Sequence, residues 1–215
     1  MSNSPVRPYD YALLATVLAV LGWSGAAPFD RFTWLLEVVP AVLGLGVLAA
    51  TWKRFRLTDL TLTLIALHMI LLCVGGKYTY ARVPLGEWFK DALHLTRNHY
   101  DRLGHFAQGV VPAIIARELL LRLHVLNRRG WLPFLVISIC LAISAGYELI
   151  EWITSLSSGE AAESFLGTQG DPWDTQEDMA TALVGAIAGL LIFGRWHDRQ
   201  MHALDTAVAN PAPPA

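Results

Sequence analysis

The stretch YDRLGHFAQGVVPAIIARELLLRL (100–123) joins a polar start to an apolar run that is long enough to cross a membrane. A membrane-spanning helix needs about 20 residues, and residues 104–123 meet that length. Asp101 and His105 stand four residues apart, so they are expected on one face of this helix, one turn apart. Ionisable groups in or beside a bilayer are costly to place there, and they therefore indicate a functional site.

Five further apolar stretches of similar length occur along the chain. The composition agrees with a membrane protein, because 54% of the residues are hydrophobic and 16% are charged, whereas a soluble domain carries about 25% charged residues. The net charge of -2 gives no indication of nucleic acid binding, and membrane lipid is the expected partner. The sequence predicts an all-α, polytopic bundle of about six transmembrane helices, at approximately 11–29, 32–51, 58–76, 104–123, 131–152 and 177–194.

The six spans are expected to form a single domain over residues 1–195. Two segments connect spans on the extracytoplasmic side. The first, residues 77–103, is expected to hold a short amphipathic helix around Glu87 to Leu95, and the second comprises residues 153–176. The remainder, residues 196–215, is rich in Ala and Pro at its end and is expected to be a disordered cytoplasmic tail.

Basic residues predict the orientation of the bundle, because Lys and Arg collect in cytoplasmic loops. Residues 53–56 and 122–129 connect spans two to three and four to five, and each segment holds three basic residues. The connection between spans five and six, residues 153–176, contains no Lys or Arg. Both termini are therefore expected in the cytoplasm, and spans four, five and six then share their outer ends. In the last span, Gly185 and Gly189 form a small-residue face for close helix packing.

Two more acidic pairs stand at the outer ends of spans five and six. One lies in YELIEW (147–152) and the other in GTQGDPWDTQEDM (167–179), where Gly and Pro are typical of a folded loop. The members of each pair are three or four residues apart, so they share a helix face. The predicted site gathers six residues on one side of the membrane: Asp101, His105, Glu148, Glu151, Asp174 and Asp178.

Clustered carboxylates cannot all stay ionised without compensation, because like charges repel and burial disfavours charge. A divalent cation removes that cost: oxygen ligands suit Mg²⁺, Ca²⁺ or Mn²⁺, and one imidazole moves the preference towards Mn²⁺, Zn²⁺ or Fe²⁺. Without a metal, a carboxylate and His105 could act as an acid–base pair. We therefore expect the six residues to hold a divalent metal as cofactor, with His105, Glu148 and Glu151 as catalytic candidates. The two cysteines, Cys73 and Cys140, lie in apolar stretches and are expected to be buried free thiols.

Cations and polar or aromatic loop residues near the predicted site are candidates for substrate binding. Lys77, Arg82 and Arg102 could hold an anionic lipid head group or phosphate, and Asp171 and Trp173 lie in the loop before span six. Ordinary interfacial roles are an alternative: long cationic side chains reach towards the head groups, and tryptophan anchors helices at the membrane surface.

Three functions are compatible with this pattern. The leading hypothesis is a metal-dependent hydrolase or transferase that acts on a lipid or lipid-linked envelope substrate. A cation- or proton-coupled transporter would use the same acids, but no inverted repeat is visible in the sequence. In a non-catalytic envelope accessory protein, Asp101 and Asp174 would be helix N-caps, and Glu148 and Glu151 would form structural ion pairs. Three pairs on one face favour a functional site, because each buried carboxylate needs its own compensation.

Four motifs carry a family resemblance. In this order, GGKYTYARVPLGEW (75–88), YDRLGHFAQG (100–109), YELIEW and GTQGDPWDTQEDM resemble the YjdF-like family of bacterial inner-membrane proteins, over roughly residues 60–194. The resemblance implies a helical membrane fold and a bacterial inner-membrane location, but no reaction. A fainter likeness, carried by Asp101, His105 and the acidic and small residues of the last two spans, is to the VanZ-like membrane proteins associated with glycopeptide resistance. It implies cell-envelope or lipid-related work.

Overall fold

The structure, a computed structural model, describes residues 6–158 and 168–209. Within these two ranges all regular secondary structure is helical, which confirms the all-α class. A 3₁₀ turn at Arg129–Trp131 precedes the sixth helix. In chain order the α-helices are α1 (Pro8–Gly25), α2 (Arg31–Thr51), α3 (Asp59–Tyr78), α4 (Pro84–Ala92), α5 (Tyr100–Arg122), α6 (Leu132–Ser158) and α7 (Asp174–Ala209).

All of these helices except α4 correspond to the six spans expected from the sequence. Within the described part of the chain, four segments are long and apolar enough to cross a membrane: α2, α3, residues 129–156 and residues 174–206. The helices α1 and α5 do not meet this criterion, and α5 carries five charged side chains. Because α5 packs against α3, α6 and α7, neighbouring helices rather than lipid surround most of those charges.

The closest helix pair is α5 with α7, and glycine makes that approach possible. A Cβ atom on Gly109 would lie 2.0 Å from the carbonyl oxygen of Ala182, and one on Gly185 would lie 2.2 Å from that of Phe106. A Cβ on Gly189 would meet Val110 at 3.3 Å. The small-residue face predicted in the last span therefore packs directly on the α5 backbone.

The last helix is longer than the sequence predicted. Its final turns are helical to Ala209, so the prediction of a disordered tail from residue 196 is wrong for residues 196–209, whereas residues 210–215 lie outside the described residues. The physical reason is packing: His197 and Met201 are buried, and Gln200 Oε1 accepts a hydrogen bond of 2.8 Å from the backbone N–H of Leu60. These contacts supply the burial that composition alone did not reveal.

At the predicted inner end of the bundle, the fully buried Glu118 joins α5 to α3 and α7. Its carboxylate accepts hydrogen bonds from Thr58 N (2.8 Å), Thr58 Oγ1 (2.9 Å) and Thr61 Oγ1 (2.6 Å). Arg122 Nη1 and His197 Nε2 complete the set at 2.6 and 3.1 Å. This network is saturated, because five donors satisfy one carboxylate.

At the opposite end, the fully buried Asn98 organises the connections. Its Nδ2 donates to Val83 O (3.1 Å) and Glu87 Oε1 (3.0 Å), which holds the short amphipathic helix predicted here, now α4, beside the start of α5. Its backbone N–H donates to Gln169 Oε1 (3.0 Å), and Gln169 Nε2 donates back to Asn98 O (2.9 Å). Gly170 follows with φ of 86°, a left-handed conformation that favours glycine. Asn98 thus brings α4, α5 and the loop before α7 together.

Candidate functional site

The expected convergence of the three acidic pairs is observed at the Asn98 end of the bundle. All six predicted residues are buried there, at 9% exposure or less. Asp101 is the second residue of α5, behind the N-cap position of His99, so helix capping does not account for it. Glu37 from α2 adds a further buried carboxyl. The buried carboxyl groups at this end are Glu37, Asp101, Glu148, Glu151, Asp174 and Asp178.

Three of the six predicted site residues, Asp101, His105 and Asp178, form a compact triad. His105 Nε2 lies 3.6 Å from Asp101 Oδ1 and 3.7 Å from Asp178 Oδ1, and one ligand atom from each residue lies within 4.8 Å of the others. Both distances from the imidazole nitrogen are too long for a hydrogen bond. The triad therefore brings one nitrogen and two carboxylate oxygens around a common point without joining them directly.

The other ring nitrogen of His105 has a different environment. Gln108 Oε1 lies 3.0 Å from Nδ1, within hydrogen-bond distance. An amide oxygen only accepts, so this contact is a hydrogen bond in the tautomer that carries its proton on Nδ1, and in that tautomer Nε2 keeps its lone pair. Glu148 Oε1 lies 3.9 Å from Nδ1, and this buried oxygen has no hydrogen-bond partner among the described residues. In either tautomer, Nε2 is the ring nitrogen that lies beside the carboxylates of Asp101 and Asp178.

Two arginines cover the triad. Arg97 Nη1 lies 2.6 Å from Asp174 Oδ1 and 3.1 Å from Asp171 Oδ2. Arg102 contacts Asp178 at very short range and reaches Asp174 at 2.8 Å. Asp174, predicted as a metal ligand, is thus held between two guanidinium groups and lies outside the triad. Arg97 was not among the predicted site residues, although its spacing of four residues from Asp101 was a usable signal.

Asp171, which also contacts Arg97 and Arg102, belongs to the loop before α7 and lies outside the spanning segments. The backbone N–H of Trp173 donates to Asp171 Oδ1 at 2.9 Å. This bond, together with the charges of Arg97 and Arg102, holds the pKa of the Asp171 carboxyl below its ordinary value. Trp173 itself is 64% exposed, so its backbone rather than its indole ring serves the arrangement.

Behind the triad lies a cavity of about 150 Å³ between α2, α3, α5 and α6. Glu37 Oε2 accepts a hydrogen bond of 3.2 Å from the Tyr147 hydroxyl at its wall. Glu151, which is 8% exposed, makes no hydrogen bond or ion pair with the described residues. The cavity is lined by Glu37, Pro40, His68, Leu72, Tyr80, Asp101, Gly104, His105, Gln108, Pro112, Ile143, Tyr147 and Glu151.

The structure does not bring the other two predicted cations to this cluster. Lys77 Nζ donates to Ala26 O (2.9 Å) and Trp23 O (3.2 Å), so it closes the end of α1. Arg82 stacks on the ring of Phe29 at 3.9 Å from its centre. The end of α3 faces the α1–α2 connection, which explains why these side chains serve that turn. Of the predicted cations, only Arg102 lies among the carboxylates.

Two comparisons with known proteins bear on this arrangement. A family model described as "Predicted membrane protein (DUF2238)" matches residues 9–199. The chain is also 50% identical over 186 residues to a protein named inner membrane protein YjdF from Escherichia coli (strain K12), which covers 86% of this chain and 89% of that protein. No solved structure matches the chain. Neither match concerns VanZ-like proteins, so that fainter resemblance stays a prediction.

Proposed function

The chain belongs to the DUF2238 family of predicted membrane proteins, which confirms the resemblance, and on that premise we propose that it is a metal-dependent enzyme acting on a lipid or lipid-linked substrate. We place the reaction at the extracytoplasmic face of the bacterial inner membrane, with both chain termini in the cytoplasm. The observation that carries the proposal is the position of His105 Nε2, which lies 3.6 Å from Asp101 Oδ1 and 3.7 Å from Asp178 Oδ1, too far for a hydrogen bond to either.

The spacing of the triad suits a cation. Ligands that lie ~2.1 Å from a tetrahedral metal are ~3.4 Å from one another. The distances of 3.6 and 3.7 Å from His105 to the two aspartates are close to that value. One nitrogen and two oxygens favour Zn²⁺ or Mn²⁺ over Mg²⁺ and Ca²⁺, which take oxygen ligands.

The charge balance also supports a cation. Among the described residues, six buried carboxyl groups lie at this end of the bundle, and the guanidinium groups of Arg97 and Arg102 contact three of them, Asp101, Asp174 and Asp178. Buried carboxylates in excess of their partners need protons or a metal ion to compensate them. A divalent ion at the triad would neutralise the excess where it is most concentrated.

In this proposal the residues have distinct roles. Asp101, His105 and Asp178 bind the metal, while Gln108 orients the imidazole through Nδ1, as second partners of metal-bound histidines commonly do, and Glu148 supplies a carboxyl group 3.9 Å from that nitrogen. A metal held there would polarise a phosphoryl oxygen or activate water. Glu151 faces the adjoining cavity and is our candidate for the proton acceptor.

The test is the metal content of the purified protein after removal of any affinity tag. Wild type is expected to retain one divalent ion per chain, and His105→Ala should lose it. His202→Ala is the matched control, because His202 is exposed at the other end of α7. The lipid composition of cells with wild type or Glu148→Gln then reports the reaction. Metal loss in the control as well, or no metal in wild type, would refute the centre.

A second candidate function, a cation- or proton-coupled carrier, is favoured by the depth of the cavity. Its lining runs along α5 from Asp101 to Pro112, about 16 Å at 1.5 Å per residue. Ion flux in proteoliposomes with unchanged cellular lipids would favour this carrier over the enzyme. If metal, flux and lipid change were all absent, a structural role in the envelope would account for the cluster.

A further inference from the structure

The cavity behind the triad combines acidic and aromatic walls, a chemistry that a metal ion alone does not require. Glu37, Asp101 and Glu151 supply carboxyl groups, and Tyr80 and Tyr147 supply rings. Neither Lys nor Arg is among the described residues that line it. Carboxylates together with the faces of aromatic rings are the usual surroundings of an organic ammonium group.

We propose that this cavity binds the ammonium group of a zwitterionic phosphate–ammonium head group, such as phosphoethanolamine or phosphocholine. The inference rests on the proposed function for the phosphate end of that ligand, since Asp101 and His105 belong both to the triad and to the cavity wall. A phosphate at the triad and an ammonium group in the cavity would therefore be neighbours within one ligand.

The state of Glu151 gives independent support. Its side chain is more than nine-tenths buried, it lines the cavity, and it makes no hydrogen bond or ion pair with the described residues. A carboxyl group in that position has lost most of its hydration without gaining a partner among the described residues, which is costly for its charged form. A bound ammonium group would supply the missing charge and hydrogen bonds.

The size of the cavity selects small ammonium groups. A space of about 150 Å³ holds one group of the size of benzene. An ethanolammonium or trimethylammonium group fits this volume, whereas a complete lipid does not. The ring of Tyr147 stands edge-on to that of His105, with centres 6.3 Å apart. The aromatic wall of the cavity therefore adjoins the imidazole ring of the triad.

The binding test uses metal-free protein in EDTA, titrated calorimetrically with choline and with 3,3-dimethylbutanol, its uncharged carbon analogue. We expect choline to bind and the analogue to bind at least about tenfold more weakly, because only choline offers a positive charge to the carboxylates. Equal binding of the two would overturn the inference. This comparison uses wild type alone, so it does not depend on the folding of a variant.

Glu151→Gln is expected to weaken choline binding at least about tenfold, while Asp91→Asn, a control on the exposed side of α4, should leave it unchanged. No loss of choline binding in Glu151→Gln would also overturn the inference. Folding should survive this change, because the Glu151 side chain makes no hydrogen bond with the described residues that the variant would break.

Native mass spectrometry can identify the molecule that carries the ammonium group. The protein is taken from bilayers of mixed phosphatidylethanolamine and phosphatidylglycerol, and the lipids that remain bound to it are compared with those of the bilayer. Enrichment of the ethanolamine lipid supports a lipid head group, and choline binding without enrichment supports a soluble phosphate ester. The failures are separable: retained metal without choline binding refutes only the ammonium site, and choline binding without metal refutes only the metal enzyme.

Discussion

Two buried glutamates at opposite ends of the bundle should respond in opposite ways to the same substitution. The Glu118 carboxylate accepts five hydrogen bonds, two of them from the cationic or ionisable groups of Arg122 and His197. Glu151 is buried to a similar degree but makes no hydrogen bond or ion pair with the described residues. Replacing each with Gln keeps the shape of the side chain and removes its charge.

For Glu118→Gln the loss should be large. Breaking a buried charge pair by changing one partner costs about 3–5 kcal/mol, and the amide nitrogen of Gln would face donors that need an acceptor. At 2–4 °C per kcal/mol for a chain of this size, Tm should fall by about 6–20 °C. For Glu151→Gln, in EDTA and without amine, Tm should be unchanged or higher, because a buried acid that needs a proton or a cation to compensate it is replaced by a neutral side chain.

The assay is thermal unfolding of both variants and wild type in the same detergent. The quantity measured at each temperature is the fraction of the protein that stays monodisperse. Limited proteolysis adds a local measurement, because Glu118 holds the end of α7 through His197, and the final turns should become sensitive in Glu118→Gln. Equal losses of Tm in the two variants would refute the reasoning that satisfied hydrogen bonds, rather than burial alone, decide the contribution of these residues.

Three other predictions concern packing, pH and topology. Gly109→Ala should lower Tm strongly, because its Cβ would meet the α7 backbone at 2.0 Å, whereas Gly194→Ala, with open space around it, should not; equal effects would argue against the close crossing. Asp171 has a lowered pKa, so the stability that it contributes is present above its ordinary value of 3.8 and is lost as the pH falls through the lower folded value; Asp171→Asn should flatten acid unfolding below about pH 4, and an unchanged profile would contradict this linkage. In a protein whose native cysteines are buried, Trp173→Cys should react with an impermeant thiol reagent from outside and Arg128→Cys should not, and labelling of residue 128 in intact cells would overturn the orientation.

The all-α membrane class and the convergence of the acidic pairs could be predicted from the sequence because both follow from local properties. A run of about 20 apolar residues forms a spanning helix, since the backbone has no other way to satisfy its polar groups in lipid. Successive spans alternate in direction, so the ends that carry Asp101, Glu151 and Asp178 had to meet on one face. The four-residue spacing of Asp101 and His105 then placed both on one side of α5.

Which side chains touch was decided only by the tertiary structure. The rotation of α5 against α7 follows from the contact of Gly109 with the Ala182 backbone. That rotation places His105 beside Asp178, whereas Asp174 contacts Arg97 and Arg102 instead. The same holds for His197, whose burial keeps the last turns helical. Hydropathy is a sum over neighbours in the chain, whereas these contacts depend on the shapes of residues far apart in sequence. The sequence alone therefore determined the helices and the end at which the acids gather, and packing determined the triad, the cavity and the partners of each charge.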